Sequence, residues 1–163
     1  MLLSRYPSSF IFYNIILLIF FSLAVYKIRS LSIINDISFV LLHYVIIYLA
    51  FYYYRLSLFL IFFLCGIGMD VLMLYEFGPH LLVFMTLLIF FHLTKKYINN
   101  FNSQKIYLLI IIVQLIMILL EMLITNLFFD YTFNFNSYFK IFFISIMLSY
   151  PVFFVFSKID NLH

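Results

Sequence analysis

The sequence predicts an all-α integral membrane protein of about six transmembrane helices, and two observations carry this prediction. Hydrophobic residues are 67% of the 163 residues and charged residues only 9%, whereas a soluble domain is about half apolar and a quarter charged. Uncharged apolar stretches also recur at close to the ~20 residues that cross the hydrocarbon of a bilayer. Six such spans use most of the chain, so we expect a single transmembrane domain over residues 1–163.

The first three spans are expected at about residues 10–25, 37–54 and 56–74. Span two ends in the run Tyr52–Arg55, and a cluster of aromatic and cationic side chains is typical of the headgroup interface. Span three follows almost at once. So tight a connection predicts that spans two and three are antiparallel neighbours.

The last three spans are expected at about residues 78–94, 106–129 and 139–156. Span four ends before Lys95 and Lys96 and is followed by a polar loop at 99–103. A second polar and aromatic loop, at 130–136, separates the last two spans. The sequence shows neither an internal repeat nor a low-complexity linker that would mark a domain boundary.

The cationic residues predict an orientation in the membrane. The side that holds both termini carries Arg5, Arg55, Lys95, Lys96, Lys105 and Lys158. The opposite side carries Lys27, Arg29 and Lys140. Six cationic residues on the side of the termini against three on the other side predict that the N- and C-termini are cytoplasmic. The net charge of +3 is spread over short loops with no long basic run, which argues against a nucleic-acid partner.

The sequence predicts no metal site, no cofactor and no catalytic group. A lone Cys65 excludes a disulfide within the chain and a cysteine-based zinc site. His80 and His92 are separated by about 18 Å along one helix, which is too far to share an ion, and His43 lies on another span.

Asp70 is one of two acidic residues predicted inside a span, where an ionisable group is costly and needs a partner. Gly66 and Asp70 share a helix face on which a neighbouring backbone could approach closely. We expect the carboxylate to bind the start of span four, where free backbone N–H groups follow Gly78–Pro79–His80. A pair of Asp70 with His80 is expected to be a structural hydrogen bond, because no nucleophile accompanies it.

Glu121 is the second acidic residue, and with Gln114 and Thr125 it forms a polar stripe on one face of span five. The favoured interpretation is hydrogen bonding between helices, since membrane helices use polar residues in their packing. The alternative is a wall that faces a ligand or a partner.

An intramembrane aspartyl protease is the enzymatic alternative, because Asp70 and Asp130 both fall near the outer face and paired carboxylates can share a proton. Lipoprotein signal peptidase has a similar size and uses two aspartates. Its pattern is not found around Asp130, which lies in a predicted loop, and this disfavours the alternative.

The segment from Gly66 to His80 resembles the signature of the MreD family of rod-shape-determining proteins. In that family an apolar helix ends in Gly-x-x-x-Asp, and a Gly-x-His or Gly-x-Asn opens the next helix. The matching positions are Gly66, Asp70, Gly78 and His80; the weaker ones are Asp36 and Tyr48–Leu49–Ala50. Departures are Leu49 for the family's Trp, Met73–Leu74 for a Ser-Gly pair and Glu76 for a frequent Pro. The resemblance covers about residues 36–95.

The resemblance implies a non-enzymatic scaffold in the bacterial inner membrane, with a role in cell shape and peptidoglycan synthesis. The partners implied are MreC, the actin-like MreB, the glycosyltransferase RodA and a class B penicillin-binding protein, and a homodimer stays open. Gly66, Asp70, Gly78 and His80 would then be the framework that holds spans three and four.

The substrate-binding subunit of energy-coupling-factor vitamin transporters is the second hypothesis, since it also packs six helices and the MreD family resembles it in fold. Such subunits dock their coupling partner through small residues on the first span, often Ala-x-x-x-Ala. Here that span has Ala24 alone, which disfavours docking. A vestigial pocket lined by Asp70, His80 or Glu121 remains an alternative.

Overall fold

The computed structural model is all-helical and describes residues 7–26, 32–53, 56–73, 78–98, 101–128 and 135–162. The helices in these segments are α1 (Pro7–Val25), α2 (Ser32–Tyr52), α3 (Leu56–Met73), α4 (Pro79–Ile98), α5 (Ser103–Phe128) and α6 (Phe135–Leu162). The all-α prediction is confirmed, and each of these helices lies at the position of one predicted span.

Several helices extend beyond the limits that hydropathy predicts. The clearest case is α6, which runs from Phe135 to Leu162, whereas the apolar stretch covers only 139–156. Hydropathy marks the part of a helix suited to hydrocarbon, while the helical hydrogen bonds continue into polar flanks. Likewise, α2 begins at Ser32 rather than at residue 37.

Three helices are long and apolar enough to cross a membrane. Their candidate spans are Ile33–Tyr52 in α2, Gln104–Leu127 in α5 and Tyr138–Ile159 in α6. Shorter apolar stretches occupy Phe10–Val25, Ser57–Met73 and Pro79–Thr94 in the described parts of α1, α3 and α4. Length and composition of the three long helices therefore indicate a membrane protein.

The central helix is α2, which packs against all five other helices. Every side chain from Leu42 to Ala50 is buried. The most extensive helix contacts are those of α1 with α2 and of α3 with α4. Although the connection from α2 to α3 is the shortest, these two helices touch only weakly, because α3 lies mainly against α4.

Tyrosine side chains tie α6 to the rest of the bundle. The Tyr44 hydroxyl of α2 donates to the Ser145 carbonyl oxygen at 2.9 Å, and the hydroxyls of Tyr107 and Ser149 lie 3.0 Å apart. At one end of α6, the Lys140 ammonium forms an ion pair with the Asp36 carboxylate at 2.6 Å. Lys140 lies in the first turns of α6, within the span predicted at 139–156.

Tyr53 faces the interior of the bundle and not the headgroups suggested by the sequence, since only 4% of it is exposed. Its ring packs against Tyr13 and Tyr48, with centroids 5.5 and 6.5 Å away. Tyr13 also donates a hydrogen bond to the Phe156 carbonyl oxygen at 3.3 Å. This aromatic group thereby joins α1, α2 and α6.

Candidate functional site: a capped helix pair and a buried polar pair

Asp70 lies near the end of α3 and is fully buried. Its Oδ2 accepts hydrogen bonds from the backbone N–H groups of Gly78 and Leu81, both at 3.0 Å. Its Oδ1 accepts from the backbone N–H of His80 at 3.0 Å and faces the ring Nδ1 of His80 at 2.8 Å. With three backbone donors on its oxygens, the carboxyl group acts as an acceptor, so Nδ1 of His80 is the donor on the fourth side.

These contacts cap the start of α4. The first N–H groups of any helix have no partner within the helix, and the aligned peptide dipoles give that end a partial positive charge. A cap residue normally precedes its helix directly, whereas Asp70 reaches α4 from the end of the preceding helix. The contact that the sequence predicts between Asp70 and the start of α4 is therefore present.

Gly66 allows the two helix backbones to meet. A Cβ atom at this position would lie 2.6 Å from the Cα of Leu81, closer than real Cβ atoms approach other atoms. Leu81 is also one of the N–H donors to Asp70. The close approach and the cap thus act on the same turn of α4, and we call Gly66, Asp70, Gly78 and His80 the α3–α4 joint.

A second buried pair lies beside the α3–α4 joint. Nε2 of His43 in α2 is 2.8 Å from Oε1 of Glu121 in α5, and Nδ1 of His43 is 2.8 Å from the Phe39 carbonyl oxygen. A carbonyl oxygen can only accept, so Nδ1 carries a proton. A second proton lies between Nε2 of His43 and Oε1 of Glu121. The His43–Glu121 pair has no net charge whether the nitrogen or the oxygen holds this proton. Neutrality makes the pair compatible with the apolar interior.

Two phenylalanine rings lie between the pairs. The Phe39 ring centroid is 4.4 Å from that of His43 and 6.0 Å from that of His80. The Phe84 ring centroid is 5.5 Å from His43 and 6.3 Å from His80. The polar groups of α2, α3, α4 and α5 therefore meet at one end of the bundle around shared aromatic rings.

The sequence indicates Glu121 as an acidic residue inside a span but does not indicate its partner. His43 is 78 residues away and belongs to no motif with Glu121. The one available cue is physical: each group lies inside an apolar helix, and a buried polar group requires a partner. The sequence does not show which buried polar group is that partner, because the answer depends on how α2 packs against α5.

The remaining members of the polar stripe behave differently from Glu121. Thr125 donates its hydroxyl to the Glu121 carbonyl oxygen at 2.7 Å, a bond within α5. Gln114 is fully buried, and neither its amide oxygen nor its amide nitrogen has a partner in the described part of the chain. The stripe is therefore not one continuous network.

Asp70, the first aspartate of the protease alternative, directs its carboxylate at α4, and Asp130, the second, lies outside the described residues. In the described ranges, groups of three or more His, Cys, Asp or Glu side chains suited to a metal ion are not found. Cys65 is buried and unpaired.

The fold and site define a class: an all-α bundle with helices able to cross a membrane, in which buried polar side chains join one helix to another. Comparison of the chain with protein families, with curated proteins and with solved structures finds no match.

Replacing Glu121 with Ala is expected to lower the free energy of unfolding by about 2 kcal/mol, because Nε2 of His43 loses its partner in the interior. Denaturation in detergent micelles measures the change. A variant with both Glu121→Leu and His43→Phe removes the two polar groups together and should recover most of the loss. Equal losses in the single and double variants would contradict the pairing.

Proposed function

We propose that the chain is a non-enzymatic scaffold of the bacterial cell-elongation complex, of the kind that MreD proteins represent. It lies in the inner membrane, crosses it six times and has both termini in the cytoplasm. It binds a single-span MreC-like protein and joins RodA, a class B penicillin-binding protein and MreB in one assembly that builds the lateral wall.

The α3–α4 joint is the observation that supports this proposal. Among the residues that resemble the family signature, Asp70 binds Gly78 and His80, and Gly66 packs against Leu81 in the same turn of α4. Both carboxylate oxygens of Asp70 bind donors at the start of α4 and so hold α4 against α3. A motif used in this way favours a structural role over a catalytic one, and it leaves the outer faces of the helices to bind partners.

The outer faces support the same conclusion. Large apolar side chains are exposed on each helix, among them Leu18, Leu60, Leu93, Leu108 and Phe139. In a bilayer such side chains contact lipid or the apolar face of another membrane helix. A small protein with these surfaces is suited to gather single-span and multi-span partners.

Co-purification tests the proposal. The tagged chain is expressed with the MreC-like protein of the same organism, solubilised in mild detergent and recovered by its tag. We expect the two proteins in fixed proportion, and we expect rod-shaped cells to become round when the chain is depleted. Failure of both results would overturn the proposal.

A vitamin-binding subunit of a transporter is the second candidate, and Gln114 is the observation that favours it. Gln114 is fully buried, its amide oxygen and nitrogen have no partner in the described residues, and a polar ligand would supply one. Ala24, the small residue of the first span, is 2% exposed and so faces the bundle, which disfavours docking to a coupling partner. A rise in melting temperature with thiamine, riboflavin or biotin that is lost in Gln114→Leu would support this candidate.

A further inference from the structure

The exposed face of α6 carries a tyrosine where lipid-facing tyrosines are not expected. Tyr150 is 69% exposed, and its hydroxyl has no hydrogen-bond partner in the described residues. Its ring stacks on Phe154 of the next turn, with an interplanar angle of 19°. Of the three helices long enough to cross a membrane, α6 is also the least covered by the rest of the chain.

The depth of Tyr150 keeps its hydroxyl away from water. The apolar stretch of α6 covers 139–156, so Tyr150 lies about 9 Å from its nearer end at 1.5 Å per residue. That distance exceeds the length of a tyrosine side chain, which on a helix also leans toward the N-terminal and more distant end. Tyrosines of membrane proteins concentrate at the interfaces, where the hydroxyl finds water or headgroups, and Tyr150 cannot.

A backbone acceptor lies on the same face. Pro151 is an exposed residue inside α6 and has no N–H to donate to the carbonyl oxygen of Met147, one turn earlier. Met147 is 66% exposed. In hydrocarbon, a free carbonyl oxygen requires a donor as strongly as a free hydroxyl requires an acceptor.

We propose that two copies of the chain associate through this face of α6, with the Tyr150 hydroxyl of each copy donating to the Met147 carbonyl oxygen of the other. On this face each copy has one donor, the Tyr150 hydroxyl, and one acceptor, the Met147 carbonyl oxygen. The face is therefore complementary to itself, as a two-fold interface requires. This inference is independent of the proposed function.

The orientation of the two helices fits the bond. Copies inserted the same way are related by a two-fold axis along the membrane normal, so their α6 helices run parallel. Side chains of a helix lean toward its N-terminal end, and carbonyl groups point toward the C-terminal end. The Tyr150 hydroxyl therefore lies near the level at which the second copy presents its Met147 carbonyl oxygen.

Energy transfer between donor-labelled and acceptor-labelled copies in phosphatidylcholine vesicles measures the association as protein is diluted in lipid. We expect Tyr150→Phe, which removes only the hydroxyl, to raise the dimer dissociation constant about tenfold, since two symmetry-related bonds are lost and an intramembrane hydrogen bond is modest. Pro151→Ala gives Met147 a donor within its own helix and should have a similar effect. The variant with both changes should be no weaker than either single variant, because the same bond is absent in each.

Tyr97→Phe is the matched control, since Tyr97 is 75% exposed near the end of α4, beyond the apolar stretch Pro79–Thr94. It should leave the dissociation constant unchanged. Introduced cysteines give a second measurement in a Cys65→Ala background: Phe154→Cys should cross-link between copies, whereas Ile112→Cys on the exposed side of α5 should not. A chain that stays monomeric, a dimer unaffected by Tyr150→Phe, or cross-links through α5 would each overturn the proposal.

Discussion

Replacing Asp70 with Ala is expected to lower the free energy of unfolding by about 4 kcal/mol, because the change leaves several donors unpaired in the interior at once. The backbone N–H groups of Gly78, His80 and Leu81 and the ring Nδ1 of His80 all lose their acceptor. Denaturant unfolding of the protein in detergent micelles, followed by circular dichroism, measures this free energy.

Two further variants test the role of Asp70 even if the alanine variant does not fold. Asp70→Asn retains one acceptor oxygen and turns an amide toward the other donors, so we expect about half the loss. Asp36→Asn is the matched control, because Asp36 is partly exposed in its ion pair with Lys140 and such pairs contribute about 1 kcal/mol or less. Equal effects at Asp70 and Asp36 would refute the role of the cap.

Gly66→Ala is expected to lower the free energy of unfolding by about 3 kcal/mol, at the upper end of the range for overpacking. The added Cβ meets the Cα of Leu81 at 2.6 Å, and a backbone atom can move only if α4 moves with it. Thermal unfolding in micelles and the yield of folded protein report the change.

Gly68→Ala provides the matched comparison, two residues along the same helix. Its Cβ would approach the tip of the Phe21 ring at 2.7 Å, and a side chain can rotate away where a backbone cannot. We expect a loss of about 1 kcal/mol or less for this variant. A larger loss of unfolding free energy for Gly68→Ala than for Gly66→Ala would contradict the prediction that the α3–α4 backbone contact is the less tolerant of an added methyl group.

The two large effects should not add. A methyl group at residue 66 displaces Leu81, which also donates to Asp70, so Gly66→Ala weakens the cap as well as the packing. In an Asp70→Ala background the glycine substitution should therefore cost less than it does alone. Additive losses would indicate that the close approach and the cap are separate contacts.

The helices and the contact of Asp70 with α4 could be predicted from the sequence because both depend on nearby residues. Apolar stretches mark the helices, and Asp70 lies only 8 to 11 residues before the N–H groups that it caps. The pair of His43 with Glu121 could not be predicted, since it depends on how α2 and α5 pack. The burial of Tyr53 depends on packing in the same way, because its partner Tyr13 lies on α1 and packs in turn against Phe156 of α6.

The separation of these contacts along the chain also gives an order of assembly in the membrane. The cap at Asp70 joins consecutive helices, so it can form as soon as α4 has packed against α3. The Glu121 contact to His43 spans 78 residues and must wait for α5. Until then α2, the central helix, holds the His43 imidazole without its Glu121 partner. Arrival of α5 thus supplies the missing partner of His43, and we expect a chain truncated before α5 to be a substrate for membrane quality control.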